Sequence, residues 1–146
     1  MTKLRQSSIL LLATFFLVTG CHKNDTSNTI FEQFFEDNVL GQTFVITYAN
    51  NQGTDLTAQY SGYNFVLQKG SDFYNGVLRV TKAGVTYSGT WSSNQDYSKL
   101  NVVLPSSPVE FNFLTRSWRF ASKQLPVLKF TPWGGPDDIQ LTMTRQ

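Results

Sequence analysis

From Gln42 onward, apolar and polar residues alternate with a period of two along most of the chain. This period is typical of β-strands, because successive side chains of a strand point to opposite faces of the sheet. The clearest run is VTYSGTW, whose apolar face consists of Val85, Tyr87, Gly89 and Trp91. Ser88 and Thr90 alternate with them, so Tyr87 and Trp91 are predicted to lie inside the fold while Ser88 and Thr90 face water.

Similar runs follow at short intervals, separated by turn-forming stretches such as NNQG, KGSD and SSNQD. They are TFVITY, YNFVLQ, VLRVT, LNVVL and the segments around Trp118, Leu128 and Leu141. About eight strands joined mostly by short turns predict an all-β fold, an antiparallel up-and-down meander that closes into a barrel or flattened barrel. In the first run, Phe44, Ile46 and Tyr48 are predicted to share one face of the strand. The segment VEFNFLTRS also fits helical spacing and is predicted to form a helical turn before a strand.

One short N-terminal helix is predicted at about residues 29–40, at the start of a barrel domain covering residues 29–146. In TIFEQFFEDNVLG the apolar residues Ile30, Phe31, Phe34 and Phe35 fall on one side, and acidic residues fall on the other. Thr29 and Glu32 have capping-box spacing, and Gly41 suits the C-terminal cap. The helix either packs on its own domain or binds a partner or membrane. Its acidic face favours packing, because anionic lipid surfaces repel carboxylates.

The pattern before this helix differs, because MTKLRQSSILLLATFFLVTGC joins a basic start to one short apolar run. Such a run is shorter than the roughly 20 apolar residues that cross a bilayer, and it predicts a secretory signal at residues 1–20. The small residues Thr19 and Gly20 end at Cys21, the only cysteine in the chain. The stretch resembles the lipobox of bacterial lipoproteins, which implies that Cys21 becomes the lipid-bearing first residue of the mature chain, followed by a tether over residues 21–28. The alternative is an ordinary signal peptide followed by an unrelated buried cysteine.

The charge balance changes once the signal is removed. The whole chain has twelve basic and ten acidic residues, and loss of Lys3 and Arg5 leaves ten of each. A neutral chain argues against nucleic acid as a partner, because nucleic acid requires a basic surface. With 14% aromatic and 15% charged residues, the chain is predicted to fold into one domain with a substantial core.

Candidate chemistry is scarce in this sequence. Its one histidine, His22, lies beside the predicted attachment point, and no second histidine or cysteine can complete a catalytic triad or a zinc site. The adjacent carboxylates Asp137 and Asp138 follow a turn sequence and lack the repeated acidic spacing of calcium sites. We therefore predict no catalytic residues, no metal and no cofactor, and a protein that is not an enzyme.

One stretch of the chain contains basic residues without an intervening acid. These are Arg116, Arg119, Lys123 and Lys129. On strands, Arg119, Lys123 and Lys129 would alternate with apolar neighbours and face outward. They form either a candidate surface patch for anionic lipid, glycan or protein, or a solvated face that prevents edge-to-edge pairing.

Taken in order, the lipobox, the tether, the short helix and the strands YNFVLQ, VTYSGTW and LNVVL are similar to the small lipocalin-like lipoproteins of Gram-negative envelopes. The resemblance covers roughly residues 30–146. It implies a lipocalin-like barrel anchored to a membrane through a lipid on Cys21. His22 in place of an Asp after the cysteine resembles lipoproteins that are sent to the outer membrane, on its periplasmic or surface face.

Two functions then compete, with hydrolase chemistry a distant third for lack of residues. In the first, the barrel binds a small apolar ligand. Its candidate lining residues are Tyr63, Phe65, Tyr87, Trp91, Trp118 and Phe120. In the second, a fully packed barrel serves a structural or protein-interaction role, with a protein partner that the sequence does not identify. An empty apolar cavity of about 300 Å³ or more favours the ligand, and a filled interior favours the second function.

The lipobox gives a direct prediction. Cys21 should be lipid-modified and residues 1–20 removed, because the small-residue site ends at the only thiol. Radiolabelled fatty acid should enter the parent chain and not Cys21→Ala, and equal incorporation into both would contradict the assignment.

Overall fold

The computed structural model describes residues 26–146, so the predicted signal, Cys21 and most of the predicted tether lie outside the described residues. Within this part the chain forms two helices, one 3₁₀ turn at Thr57–Tyr60 and nine strands. The helices are α1 (Thr26–Asn38) and α2 (Phe111–Leu114). The strands are β1 (Thr43–Asn51), β2 (Thr54–Asp55), β3 (Asn64–Leu67), β4 (Asn75–Lys82), β5 (Val85–Ser93), β6 (Lys99–Val103), β7 (Ser117–Ser122), β8 (Val127–Pro132) and β9 (Ile139–Arg145).

Eight of these strands close into an antiparallel barrel. From β3 to β9 each strand pairs with the next in the chain, and β1 pairs with both β3 and β9. The closing seam runs from Phe44 opposite Arg145 to Asn51 opposite Ile139. The two-residue β2 pairs only with the end of β1. The predicted up-and-down meander of about eight strands with one short N-terminal helix is therefore confirmed.

The alternation in the sequence matches the two faces of the barrel wall. In β5, Trp91 is 1% exposed, Tyr87 is half-buried, and Ser88 and Thr90 are exposed, as predicted. The other inner positions form one core. Its strand residues include Phe65, Leu67, Leu78, Val80, Leu100, Val102, Trp118, Leu128, Phe130, Ile139, Leu141 and Met143.

Two residues depart from the predicted faces. Tyr48 is exposed, and Ala49 is buried in its place, because the pairing with β9 shifts register between Ile46 and Tyr48. A bulge inserts an extra residue and moves every later side chain of the strand to the opposite face. Val85 is also exposed. It pairs with Lys82 next to the turn of the β4–β5 hairpin, at the rim beyond the packed interior.

Helix α1 covers one end of the barrel. It begins at Thr26, inside the predicted tether, rather than at Thr29. Phe35 and Val39 are buried, and the Phe35 ring stacks on Tyr97 with ring centres 4.4 Å apart. Gly41 follows the helix with a φ of +72°, the left-handed conformation that glycine adopts without strain. The inner side of the helix therefore packs on its own domain, which is the alternative that its acidic face favoured, whereas Ile30 and Phe31 stay exposed.

The opposite end is covered by α2, within the segment that was predicted to form a helical turn. Phe111, Phe113 and Leu114 are all buried. The 3₁₀ turn adds Tyr60, which is 1% exposed and lies 6.3 Å from Phe113 between ring centres. Both ends of the barrel are thus filled by aromatic side chains.

The burial of Trp91 predicts a large effect on stability. Trp91→Ala should lower the free energy of unfolding by about 3–5 kcal/mol, because it removes a core ring and leaves a cavity. The matched control Thr90→Ala, on the outer face of the same strand, should cost less than about 1 kcal/mol. Chemical denaturation of both variants measures the difference, and similar costs for the two would show that the strand faces are assigned wrongly.

Candidate functional site

The barrel interior is the natural candidate for a ligand site, because small barrels either fill their interior or leave room for one ligand. Its central void has a volume of about 30 Å³. The void is lined by apolar side chains only, contributed by Ile46, Phe65, Leu67, Leu78, Leu100, Val102, Leu104, Leu114, Trp118, Phe130, Leu141 and Met143. Ligand sites usually measure about 300–1,000 Å³, and a space of roughly 10–15 Å³ already admits one water. By the volume criterion, the interior is filled.

The six candidate lining residues all lie on inward faces, but they fall into three groups. Phe65 and Trp118 line the central void. Trp91 and Phe120 contact Phe35 at the α1 end, with ring centres 5.7 and 6.4 Å away. The structure therefore places these four residues in two different layers of the core.

The remaining two candidates lie at the α2 end. The rings of Tyr63 and Tyr87 pack against Phe111, with centres 5.5 and 5.2 Å apart. The six rings thus extend along the whole barrel and do not surround one cavity. Ligand binding by these residues stays a prediction.

The α1 cover is held by polar contacts around its aromatic core. The Tyr74 hydroxyl donates a hydrogen bond to the Glu32 carboxylate, and the Tyr97 hydroxyl donates to the Phe73 carbonyl at 3.0 Å. Lys69 forms an ion pair with Glu36 at 3.0 Å. The contacts of Glu32 and Glu36 hold α1 to the loop before β4, and the Tyr97 hydrogen bond joins that loop to the loop before β6. Two of the three carboxylates of α1, those of Glu32 and Glu36, are occupied in this way.

One backbone contact near this cover depends on a glycine. The Trp91 indole Nε1 donates to the Gln68 carbonyl at 2.9 Å. A Cβ on Gly76 would lie 1.8 Å from that carbonyl oxygen and 2.9 Å from the indole nitrogen. Only glycine therefore permits the close approach that satisfies the buried indole.

The α2 cover is organised by Glu110, which precedes the helix. The Tyr63 hydroxyl donates to its carboxylate at 2.7 Å, and the Tyr60 hydroxyl donates to its backbone carbonyl at 2.8 Å. Arg116 lies over the rings of Phe113 and Trp118, at 4.8 and 5.2 Å from their centres. Sequence reasoning missed Glu110, because nothing in its immediate sequence distinguishes it from a solvated carboxylate.

The phenols of these covers are held in the neutral form. Burial and the hydrogen bond to Glu110 raise the pKa of Tyr63 to about 12. The hydrogen bond to Glu32 and burial raise the pKa of Tyr74 to about 12. Burial is also the main cause that raises the pKa values of Tyr60 and Tyr97. At neutral pH these groups are hydrogen-bond donors that hold the covers, and they are poorly suited to proton transfer.

The four basic residues of the candidate patch lie on or beside the adjacent strands β7 and β8. Arg116 precedes β7 and Lys123 follows it, so the six-residue strand, about 20 Å long, separates them. Arg119 forms an ion pair with Asp137 at 3.0 Å, and Lys129 is exposed on β8. Lys123 was predicted to face outward on a strand. It lies instead beyond the end of β7, after a register shift between Phe120 and Ser122.

Lys123 and Arg116 are also less accessible than the prediction assumed. The Lys123 ammonium lies 5.0 Å from the centre of the Phe120 ring and 5.6 Å from that of Phe31. Burial lowers the pKa values of both Lys123 and Arg116. A role for any of the four in binding stays a prediction.

The outer face of β4, β5 and β6 carries a feature that the sequence reasoning missed. Val77, Thr90 and Val103 are cross-strand neighbours and form one row. The two valines are 42% and 55% exposed. Four outward residues around the row are short and uncharged, Asn75, Ser88, Ser92 and Asn101, whereas the exposed Arg79 flanks Val77 on β4. A signal was available, because Val102 and Val103 are consecutive apolar residues and one of them must face outward.

Among residues 26–146, no group of three or more His, Cys, Asp and Glu side chains could hold a metal ion. Neither helix of that segment is long and apolar enough to cross a membrane. Comparison of the chain with protein-family models, curated proteins and solved structures finds no match. The geometry itself defines the class of the domain, a closed eight-stranded antiparallel β-barrel with a filled interior and a cover at each end.

The neutral phenols of the covers predict a loss of stability in alkali. A group whose pKa is raised by folding contributes stability below its ordinary pKa, here about 10, and loses it as the pH rises towards the folded-state value. The free energy of unfolding should therefore fall above pH of about 10, and tyrosinate absorbance should appear mainly with unfolding.

Tyr63→Phe tests the contribution of one cover. At neutral pH it should cost about 1–2 kcal/mol for the hydrogen bond to Glu110, and the alkaline decline should become shallower. Tyr48→Phe, which changes an exposed phenol, is the matched control. An alkaline decline of equal slope in Tyr63→Phe and the parent would contradict the role of Tyr63.

Proposed function

We propose that this chain is a lipid-anchored protein of the bacterial cell envelope whose barrel is a packed, non-catalytic scaffold that acts through its outer surface. The observation that carries the proposal is the filled interior. A void of about 30 Å³ is roughly a tenth of the volume at the lower limit of ligand sites. A role through the surface requires no internal space.

The anchoring rests on the sequence of residues 1–21, with its basic start, short apolar run and lipobox-like end. By resemblance to lipocalin-like lipoproteins, and from His22 after the cysteine, we place the protein at the outer membrane. Helix α1 begins five residues after Cys21. In the proposed mature protein, the barrel is therefore joined to the lipid by a very short segment.

The row of Val77, Thr90 and Val103 is the surface that best fits a protein partner. It combines two exposed valines with the short, uncharged side chains of Asn75, Ser88, Ser92 and Asn101, and Arg79 lies at its edge. The nearest outward charges on these strands are Arg79 on β4 and Lys99 on β6. Interface centres are depleted in charged residues, whereas their rims are polar, and this face has the same arrangement.

A second candidate function is binding of a small apolar ligand inside the barrel. One observation favours it, since every side chain that lines the central void is apolar and no buried polar group would be left without a partner by such a ligand. The ligand would have to displace core side chains such as Met143 or Leu141. Candidate contacts remain the six rings from Tyr63 to Phe120 named above.

Native mass spectrometry and probe titration of residues 22–146, purified gently from an envelope-type expression host, separate the two functions. The packed scaffold should carry no retained small molecule and should not bind an apolar fluorescent probe saturably. A retained stoichiometric apolar molecule, or saturable probe binding weakened by Trp118→Ala, would instead establish the ligand site.

Leu141→Ala supplies the positive control for this assay. It should cost about 2–5 kcal/mol and enlarge the void, and apolar cavities of about 150 Å³ bind benzene or xenon. Gain of benzene or xenon binding in this variant would show that the assay detects an internal site. Gln140→Ala, on the outer face of the same strand, should behave as the parent does.

A further inference from the structure

Helix α1 carries apolar side chains on two sides. Phe35 and Val39 face the barrel and are 1% and 2% exposed. Ile30 and Phe31 are 65% and 41% exposed, although both lie in the same helix. With Phe34, which is half-buried, they form an apolar edge that the barrel does not cover, because residues three and four apart are neighbours on a helix.

This apolar edge also lies close to Cys21 along the chain. Four residues separate Cys21 from Thr26, the first residue of α1. At no more than about 3.6 Å per residue, Thr26 lies within about 18 Å of Cys21 whatever path the chain takes. Ile30 is one helical turn further along, an axial distance of about 6 Å. A lipid on Cys21 therefore keeps the exposed edge of α1 close to the bilayer.

The charges around the edge are compatible with a lipid surface. Glu32 accepts a hydrogen bond from Tyr74, and the charge of Glu36 is balanced by its ion pair with Lys69, so both acidic groups are engaged with the barrel. The Lys123 ammonium lies 5.6 Å from the Phe31 ring, so a basic group stands beside the apolar edge. Asp37 remains exposed, so insertion of apolar side chains, and not attraction of charge, must drive the contact.

We propose that the α1 end of the barrel lies on the membrane, with Ile30 and Phe31 inserted at the lipid–water interface. The inference rests on the proposed lipid anchor at Cys21. This contact would orient the whole domain. Val109, which is 75% exposed just before α2 at the opposite end, then faces away from the bilayer. The row of Val77, Thr90 and Val103 on the barrel wall stays accessible to a partner.

The test uses the lipidated full-length chain in phosphatidylcholine vesicles that contain a nitroxide-labelled lipid. Ile30→Cys and the matched control Val109→Cys each introduce one thiol, which is the only free one when Cys21 carries the lipid. An environment-sensitive fluorophore on each thiol reports contact with lipid. We expect several-fold stronger quenching and a blue-shifted emission at position 30, and neither at position 109. Partial replacement of the lipid by an anionic lipid should change the quenching little.

Flotation with the vesicles distinguishes failure of the lipid anchor from failure of the proposed orientation. A parent chain that does not float with vesicles overturns the anchor and this orientation together. A chain that floats but shows equal, weak quenching at positions 30 and 109 overturns the orientation alone, and stronger quenching at 109 reverses it. Protection of position 30 from both water and quencher would show that another protein surface covers the edge, which also overturns the proposal.

A label at position 30 could itself alter the contact, so a second site is needed. Gln33→Cys places the fluorophore on an exposed position one turn away. Its quenching should be strong in the parent background and should fall several-fold when Ile30→Ser and Phe31→Ser are added. Denaturation curves of the variants should match the parent closely, because both side chains are exposed. Unchanged quenching in the serine background would overturn the proposal.

Discussion

Pairing of β1 with β9 is the constraint on which the rest of this structure depends. It removes the exposed edges that an open sheet would present, and it fixes the cross-section of the barrel at eight strands. An eight-stranded barrel is just wide enough for inward side chains to meet across it. The large rings on the inner faces therefore either fill the interior or must be held apart. Here they fill it, and the remaining void of about 30 Å³ admits only a molecule of the size of water.

Closure creates a second requirement, because a barrel wall leaves two open ends. At each end an aromatic cluster from outside the barrel strands completes the core, and a tyrosine hydroxyl bonded to a glutamate holds it. Tyr74 bonds to Glu32 at the α1 end, and Tyr63 bonds to Glu110 at the α2 end. The raised pKa values of these tyrosines follow from the same contacts, since a phenol that is buried beside a carboxylate resists ionisation. The polar atoms of the covers are thus satisfied within a mostly apolar core.

The strand pattern was predictable because burial of one face of each strand fixes the residue types at alternate positions, as in Trp91 against Thr90. Tyr48 was assigned to the wrong face because the bulge depends on how β1 meets β9, a contact between distant parts of the chain. The stacking of Phe35 on Tyr97 could not be predicted from the sequence either. It also joins distant parts of the chain, and Tyr97 lies in a loop with no periodic signal. The volume of the void depends on side chains from seven of the eight barrel strands together. The choice between a ligand site and a packed scaffold therefore depends on three-dimensional packing that the sequence does not contain.

Helix α1 has two roles in the proposed envelope protein, and the two sides of the helix keep them separate. Its inner residues, Phe35 and Val39, complete the core, so they are constrained by packing. Its outer residues, Ile30 and Phe31, contribute little to the core and are free to meet a lipid surface. Because α1 is the first element after the anchor, any displacement of the barrel relative to the membrane passes through it. The ion pair of Glu36 with Lys69 and the hydrogen bond from Tyr74 to Glu32 hold this cover on the barrel. A helix attached only by apolar contacts would slide along the barrel mouth more easily, because the hydrophobic effect is not directional.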